Sequence, residues 1–136
     1  MMRYYWLSVL SGCIWAAIAY VLSFGAFGPN IVGGLLASPL IGLLIGILYR
    51  PAYKFPKVGQ VFLSLASLYL AVGMFGLAAG FYDACWRAIP NRSISEVILQ
   101  MMIAAVIGIT FTGFVLLLWP LAFFNHRLLS RAYRAP

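Results

Sequence analysis

Two acidic side chains, Asp83 and Glu96, one histidine and two cysteines are all that this 136-residue chain offers to acid–base, metal or thiol chemistry. Charged residues make up 8% of the sequence, against ~25% in a soluble domain. That is too little to coat a water-facing surface, so a soluble globular protein is excluded. A lone histidine, His126, excludes a bis-histidine haem within one chain. Cys13 lies near the middle of the first apolar run and Cys85 just past the end of the third. Spanning helices would set them at depths ~15 Å apart, and a disulfide needs Cα atoms within ~7 Å. An intrachain bridge is therefore not expected, and both thiols are read as buried and inert. No glycine-rich loop precedes a phosphate-binding helix. No catalytic residue, cofactor or metal site is expected.

What is present in quantity is apolar. Sixty-five per cent of residues are hydrophobic, and the mean hydropathy is +1.02. Four long apolar runs cover residues 4–24, 31–49, 58–82 and 96–124, with no Asp, Glu, Lys or Arg deep inside any of them. About 20 apolar residues of helix cross a hydrocarbon core of ~30 Å. The sequence predicts an all-α integral membrane protein: a single domain, residues 1–136, folded as a four-transmembrane-helix bundle. The connecting segments are too short to bury cores of their own. Leu10-Ser11-Gly12-Cys13 and Ala17-Ile18-Ala19 imitate processing signals. Ile14-Trp15-Ala16-Ala17 continues the first run without a break, so the first helix is expected to be retained.

The formal charge of +7 follows the membrane and not nucleic acid, since no Lys/Arg stripe with stacking aromatics lies on a soluble face. Arg3, then Arg50, Lys54 and Lys57, then Arg127, Arg131 and Arg134 fall on one side of a four-span chain. Arg87 and Arg92 fall on the other, beside Asp83 and Glu96. Basic residues are retained in the cytoplasm, which predicts both termini inside and a bacterial inner membrane. Tyr4, Tyr5, Trp6, Tyr49, Tyr53, Trp119 and Phe123 read as the inner aromatic belt, and Phe81, Tyr82 and Trp86 as the outer one. Trp15 falls near mid-membrane, where its indole N–H needs a partner. Asn30 is positioned to cap the second helix. Ser93-Ile94-Ser95-Glu96 has the form of a capping box, and Asp83 and Arg87 are spaced to pair.

Small residues recur every fourth position. Ser8, Gly12 and Ala16 mark the first helix; Gly34, Ser38, Gly42 and Gly46 the second; Gly76 and Gly80 the third; Ala104 and Gly108 the fourth. Such GxxxG-like stripes let backbones approach closely in lipid, so Gly12, Gly34, Ser38, Gly42, Gly46, Gly76, Gly80 and Gly108 are the expected packing positions. Pro39 and Pro120 each free a carbonyl four residues earlier, on Leu35 and Leu116. The intramembrane serines and threonines are expected to bond to their own helices.

Arg127, Arg131 and Arg134 share a helical face, which predicts a short basic interfacial tail on anionic lipid headgroups or a docking site for a membrane-protein partner. A homo-oligomer is the other expected association. The functional expectation is a bundle acting through helix–helix contacts, as an accessory or assembly subunit of a membrane complex. The alternative is a transporter, flippase or pore for an apolar or lipid-like solute, since ion-coupling residues are missing from the spans.

Overall fold

The computed structural model describes residues 2–23, 31–86, 93–110 and 115–134. Among them all regular structure is helical: α1 (Met2–Ser23), α2 (Val32–Tyr49), a short 3-10 helix (Arg50–Lys54), α3 (Lys57–Trp86), α4 (Ile94–Thr110) and α5 (Val115–Arg134). Three stretches, Met2–Val21, Val32–Lys54 and Lys57–Trp86, are long and apolar enough to cross a membrane. The protein is membrane-embedded. The 30 residues of α3 extend ~45 Å, more than the ~30 Å of a hydrocarbon core.

Local chemistry accounts for the helix ends and for the hydroxyls within helices. Ser8 donates to the Tyr4 carbonyl at 3.0 Å and Ser64 to that of Val61 at 2.6 Å. Such return bonds remove a hydroxyl's need for water. The N–H of Ser93 donates to Glu96 Oε2 at 2.9 Å, and the N–H of Glu96 reaches Ser93 Oγ at 3.4 Å. These are the two reciprocal bonds of a capping box. Gln60 closes the turn before α3 by donating to the Phe55 carbonyl at 3.0 Å. Asn30 lies outside the described residues, and the cap position of α2 is Ile31, which makes no side-chain capping bond.

From α1 to α4, consecutive helices run antiparallel. Gly12 of α1 faces Ser38 and Gly42 of α2, while Ser8 faces Gly42 and Gly46. Gly33 of α2 meets Ala78 and Tyr82 of α3, and Gly76 of α3 meets Ala104 and Ala105 of α4. Arg3, Arg50, Lys54 and Lys57 collect at one end of the bundle, and Asp83 and Glu96 at the other. We call these the basic and acidic ends.

The fourth apolar run is described in two pieces, on either side of residues 111–114, which lie outside the described residues. It is shared by α4, of 17 residues, and α5, of 20 residues. The expected span end at residue 124 falls inside α5, which continues through Asn125 and His126 to Arg134. These polar residues do not end the helix because they have partners in the bundle. Asn125 donates to Ser11 Oγ at 2.8 Å, and His126 bonds Ser67 at 2.6 Å. The C-terminal segment is thus a packed helix, buried along Ala122, His126, Leu129 and Ser130, and not a tail lying only on lipid.

Candidate functional site

The most elaborate polar structure lies at the basic end, where α1, the 3-10 helix and α5 converge. Tyr4 is fully buried, with 0% of its surface exposed. Its hydroxyl donates to the Gly46 carbonyl of α2 and lies 3.3 Å from the Tyr53 hydroxyl. Its ring packs edge-on against Tyr53 and Tyr133, with centroids 6.1 and 5.4 Å away. Arg50 donates to the Tyr5 hydroxyl at 2.7 Å, and its guanidinium sits 5.8 Å from the Tyr5 ring and 5.3 Å from the Tyr133 ring. Arg134 donates to the Tyr53 carbonyl. One cation therefore bridges α1 and α5 through aromatic faces, and a second ties the end of α5 to the 3-10 helix.

His126 is the centre of a second, adjoining layer. It is 9% exposed, between Tyr49 and Tyr53 at ring distances of 5.5 and 6.1 Å. Burial pushes it down to about 4, so the ring is neutral at neutral pH. Ser67 donates to the Ser64 carbonyl at 2.8 Å. That uses its one hydroxyl proton, so His126 Nε2–H donates to Ser67 Oγ across their 2.6 Å contact. The hydrogen-bond pattern thereby assigns the Nε2-protonated tautomer. The cavity beside the pair, lined by Tyr53, Gln60, Leu63 and His126, holds about 10 Å³, space for one water at most. The pair is built to join α5 to α3. Trp119 repeats the device, donating to Ser64 Oγ at 3.0 Å and to the Val61 carbonyl at 3.2 Å.

The acidic end is simpler. Gln100 of α4 donates to Asp83 of α3. Glu96 is engaged in its cap. Arg87 lies outside the described residues. Between α3 and α4 runs a groove of about 320 Å³, lined by Phe75, Gly76, Gly80, Ile103 and Ile107 and reaching Asp83 and Gln100. Among the described residues no three His, Cys, Asp or Glu side chains converge to hold a metal.

The small residues singled out above fall into two groups. A Cβ on Gly42 would lie 2.5 Å from the Ser8 carbonyl oxygen and 2.7 Å from Gly12 Cα. On Gly34 it would meet the Phe75 ring at 2.6 Å, on Gly76 the Ala105 Cα at 2.7 Å and on Gly80 the Met101 Cα at 2.8 Å. Gly12 and Gly46 are equally closed, against Ser38 and Ser8, and Ser38 is buried between α1 and α2. Gly108 differs: its nearest neighbour would be a Val72 methyl at 3.4 Å. The three arginines of α5 also divide. All three are exposed, but Arg134 is tied to the Tyr53 carbonyl.

Several readings are corrected. Tyr4 and Tyr53 belong to the buried cluster and not to an interfacial belt, because packing and hydrogen bonds inside the bundle claim their hydroxyls. Cys13 and Cys85 are both free, and both are exposed rather than buried. They stand on helix faces turned away from the neighbouring helices. Trp15 is half-buried. The tyrosine cluster and the His126–Ser67 bond were missed. The available signal was the helical spacing of Ala122, His126, Leu129 and Tyr133, which marks a buried stripe running through the supposed tail. No protein-family model, curated protein or solved structure matches the chain.

Proposed function

We propose that this chain is a small polytopic membrane protein that acts through helix–helix contacts, as an accessory or assembly subunit of a membrane complex. The observation that carries this reading is α4. None of its residues is buried. It packs chiefly on α3, and about half of its circumference is open. That open arc is largely apolar, made of Ile98, Leu99, Met102, Ile103, Val106 and Ile109, with Ser95 and Thr110 as its exposed polar residues. The tyrosines of the basic end, with Arg50 and Arg134, by contrast bond inward to one another. The bundle holds itself together with its buried groups and leaves the outer face of α4 open for association in the membrane. The proposal includes four membrane crossings with α4 and the start of α5 forming the last, both termini in the cytoplasm, and residence in a bacterial inner membrane. The distribution of basic residues supports that orientation.

The experiment is purification from native membranes in mild detergent. A partner of fixed stoichiometry is expected. Leu99→Trp with Val106→Trp should release it while leaving the bundle's melting temperature unchanged, because lipid accommodates added bulk and a packed partner does not. A partner retained by that variant, or none at fixed stoichiometry, overturns the reading.

One observation favours the second reading, passage of an apolar or lipid-like solute. The groove between α3 and α4 has the volume of a small-molecule site. Ile103→Trp would fill it. Loss of solute movement in reconstituted vesicles, with no partner found in the first experiment, would select this alternative.

A further inference from the structure

The seven cations of the basic end have no acidic side chain near them. The only two carboxylate side chains of the sequence are Asp83 and Glu96, at the far end of the bundle. From Lys57 to Asp83 along α3 is ~39 Å, and exposed charges are screened beyond ~8 Å at physiological salt. No side chain of the protein supplies a countercharge at that end. Two of the seven are used internally: Arg50 on Tyr5 and Tyr133, and Arg134 on the Tyr53 carbonyl. The side chains of Arg3, Lys54, Lys57, Arg127 and Arg131 make no hydrogen bond or ion pair within the described chain, and all five are exposed.

The faces of α5 identify the anion's setting. One strip, with Ala122, His126, Leu129 and Ser130, is buried on the bundle. The next strip around the helix carries Arg127 and Arg131. The third, bordering it, is apolar and exposed: Leu117, Leu121, Phe124 and Leu128. A soluble acidic protein or a nucleic acid would complement the cations and leave the third strip in water. A bilayer complements both, with acyl chains against the leucines and phosphate against the arginines. The same end carries the ends of three helices fit to cross a membrane, which places it at headgroup depth.

We propose that the basic end binds the phosphate headgroup of an anionic phospholipid, contacted by Arg127 and Arg131 of α5, with Arg50 and Arg134 holding the tyrosine cluster that positions that helix. The site does not depend on whether α4 docks a partner. It divides the three arginines of α5 into two that meet lipid and one that fixes the helix.

The test reconstitutes the full chain in phosphatidylcholine nanodiscs containing about a quarter phosphatidylglycerol, a charge density at which each basic residue near the surface contributes ~1 kcal/mol. Lipids that stay bound on release are counted by native mass spectrometry. Phosphatidylglycerol should be enriched over phosphatidylcholine. The enrichment should fall about fivefold for each of Arg127→Gln and Arg131→Gln, and survive Arg127→Lys with Arg131→Lys. Neither side chain has a partner in the fold, so the melting temperature in pure phosphatidylcholine serves as the folding control and should not move. Inorganic phosphate at the same total concentration should not compete. Equal retention of the two lipids, unchanged enrichment in the glutamine variants, or full competition by inorganic phosphate or by an acidic peptide would each overturn the proposal.

Discussion

Ser38 donates its hydroxyl hydrogen to the carbonyl of Leu35 at 2.7 Å. That carbonyl is the one Pro39 leaves without its helical N–H. The proline and the serine before it therefore act as a unit, in which α2 loses a backbone donor and the neighbouring hydroxyl replaces it. Ser38→Ala should cost about 1–3 kcal/mol, the range for a buried polar group left unsatisfied. In a Pro39→Ala background the backbone N–H returns, and the same serine change should cost markedly less. A double-mutant cycle on thermal stability in detergent measures the coupling. Equal costs in the two backgrounds would show that the serine matters only for packing against Gly12.

Much of this architecture is legible from residue spacing, and the reasons for its limits are physical. Three spans follow from length and apolarity, because lipid demands both. The Ser93–Glu96 cap is legible because both of its bonds are local. What lies between distant residues is not legible in this way. Tyr4 reads as a belt residue because an interfacial and a buried tyrosine have the same composition signal, and only the arrival of Tyr53 and Tyr133 separates them. His126 reads as part of a tail because it lies just past an apolar run. Its partner, Ser67, lies 59 positions earlier in the chain. The even spacing of small residues does not distinguish Gly42 from Gly108. That difference depends on whether a backbone or a side-chain methyl faces the glycine.

The glycines should separate under substitution. Gly42→Ala places a methyl against the Ser8 carbonyl and the Gly12 backbone, and Gly76→Ala against the Ala104 and Ala105 backbone. Backbone cannot move aside as a side chain does, so each should lower the detergent melting temperature, and Gly42→Leu or Gly76→Leu more so. Gly108→Ala meets only Val72 at ordinary contact distance. It should be neutral or stabilising by up to about 1 kcal/mol through helix propensity. A uniform response across the three positions would remove close backbone approach as the cause.

Glu96 acts through a hydrogen bond to its own helix end. Glutamine retains an oxygen for the Ser93 N–H, so Glu96→Gln should stay within a few tenths of a kcal/mol of wild type. Glu96→Ala should lose about 0.5–1 kcal/mol. A cellular phenotype lost in the glutamine variant, at normal protein level, would instead assign the carboxylate a role in chemistry or cation binding.

Orientation has a direct measurement. In a cysteine-free background, Ile94→Cys at the acidic end and Lys54→Cys at the basic end are both well exposed. Ala52 would be a poor probe, since it is buried. A membrane-impermeant maleimide added to intact cells should label position 94 and spare position 54 if the basic end is cytoplasmic. The opposite pattern would place the phospholipid surface and every basic residue in the outer leaflet.

His126 should make the docking of α5 sensitive to acid. Its pKa in the folded protein is about 4, lowered by burial from an ordinary 6.5. Between those values the unfolded chain binds more protons than the folded one, so stability rises with pH across that window. The contribution is complete above about pH 6.5, declines as the pH falls, and is gone near pH 4. Its full size is on the order of 3 kcal/mol. The groups facing the imidazole are the Ser67 hydroxyl and the rings of Tyr49 and Tyr53, none of which supplies a carboxylate to hold an imidazolium. His126→Gln keeps a donor for Ser67 and cannot titrate. Melting temperatures from pH 7.5 down to 4.5 should fall steeply for the wild type and more gently for the glutamine variant. Parallel curves for the two proteins would mean that the ring reaches solvent and that α5 is not held by a neutral imidazole.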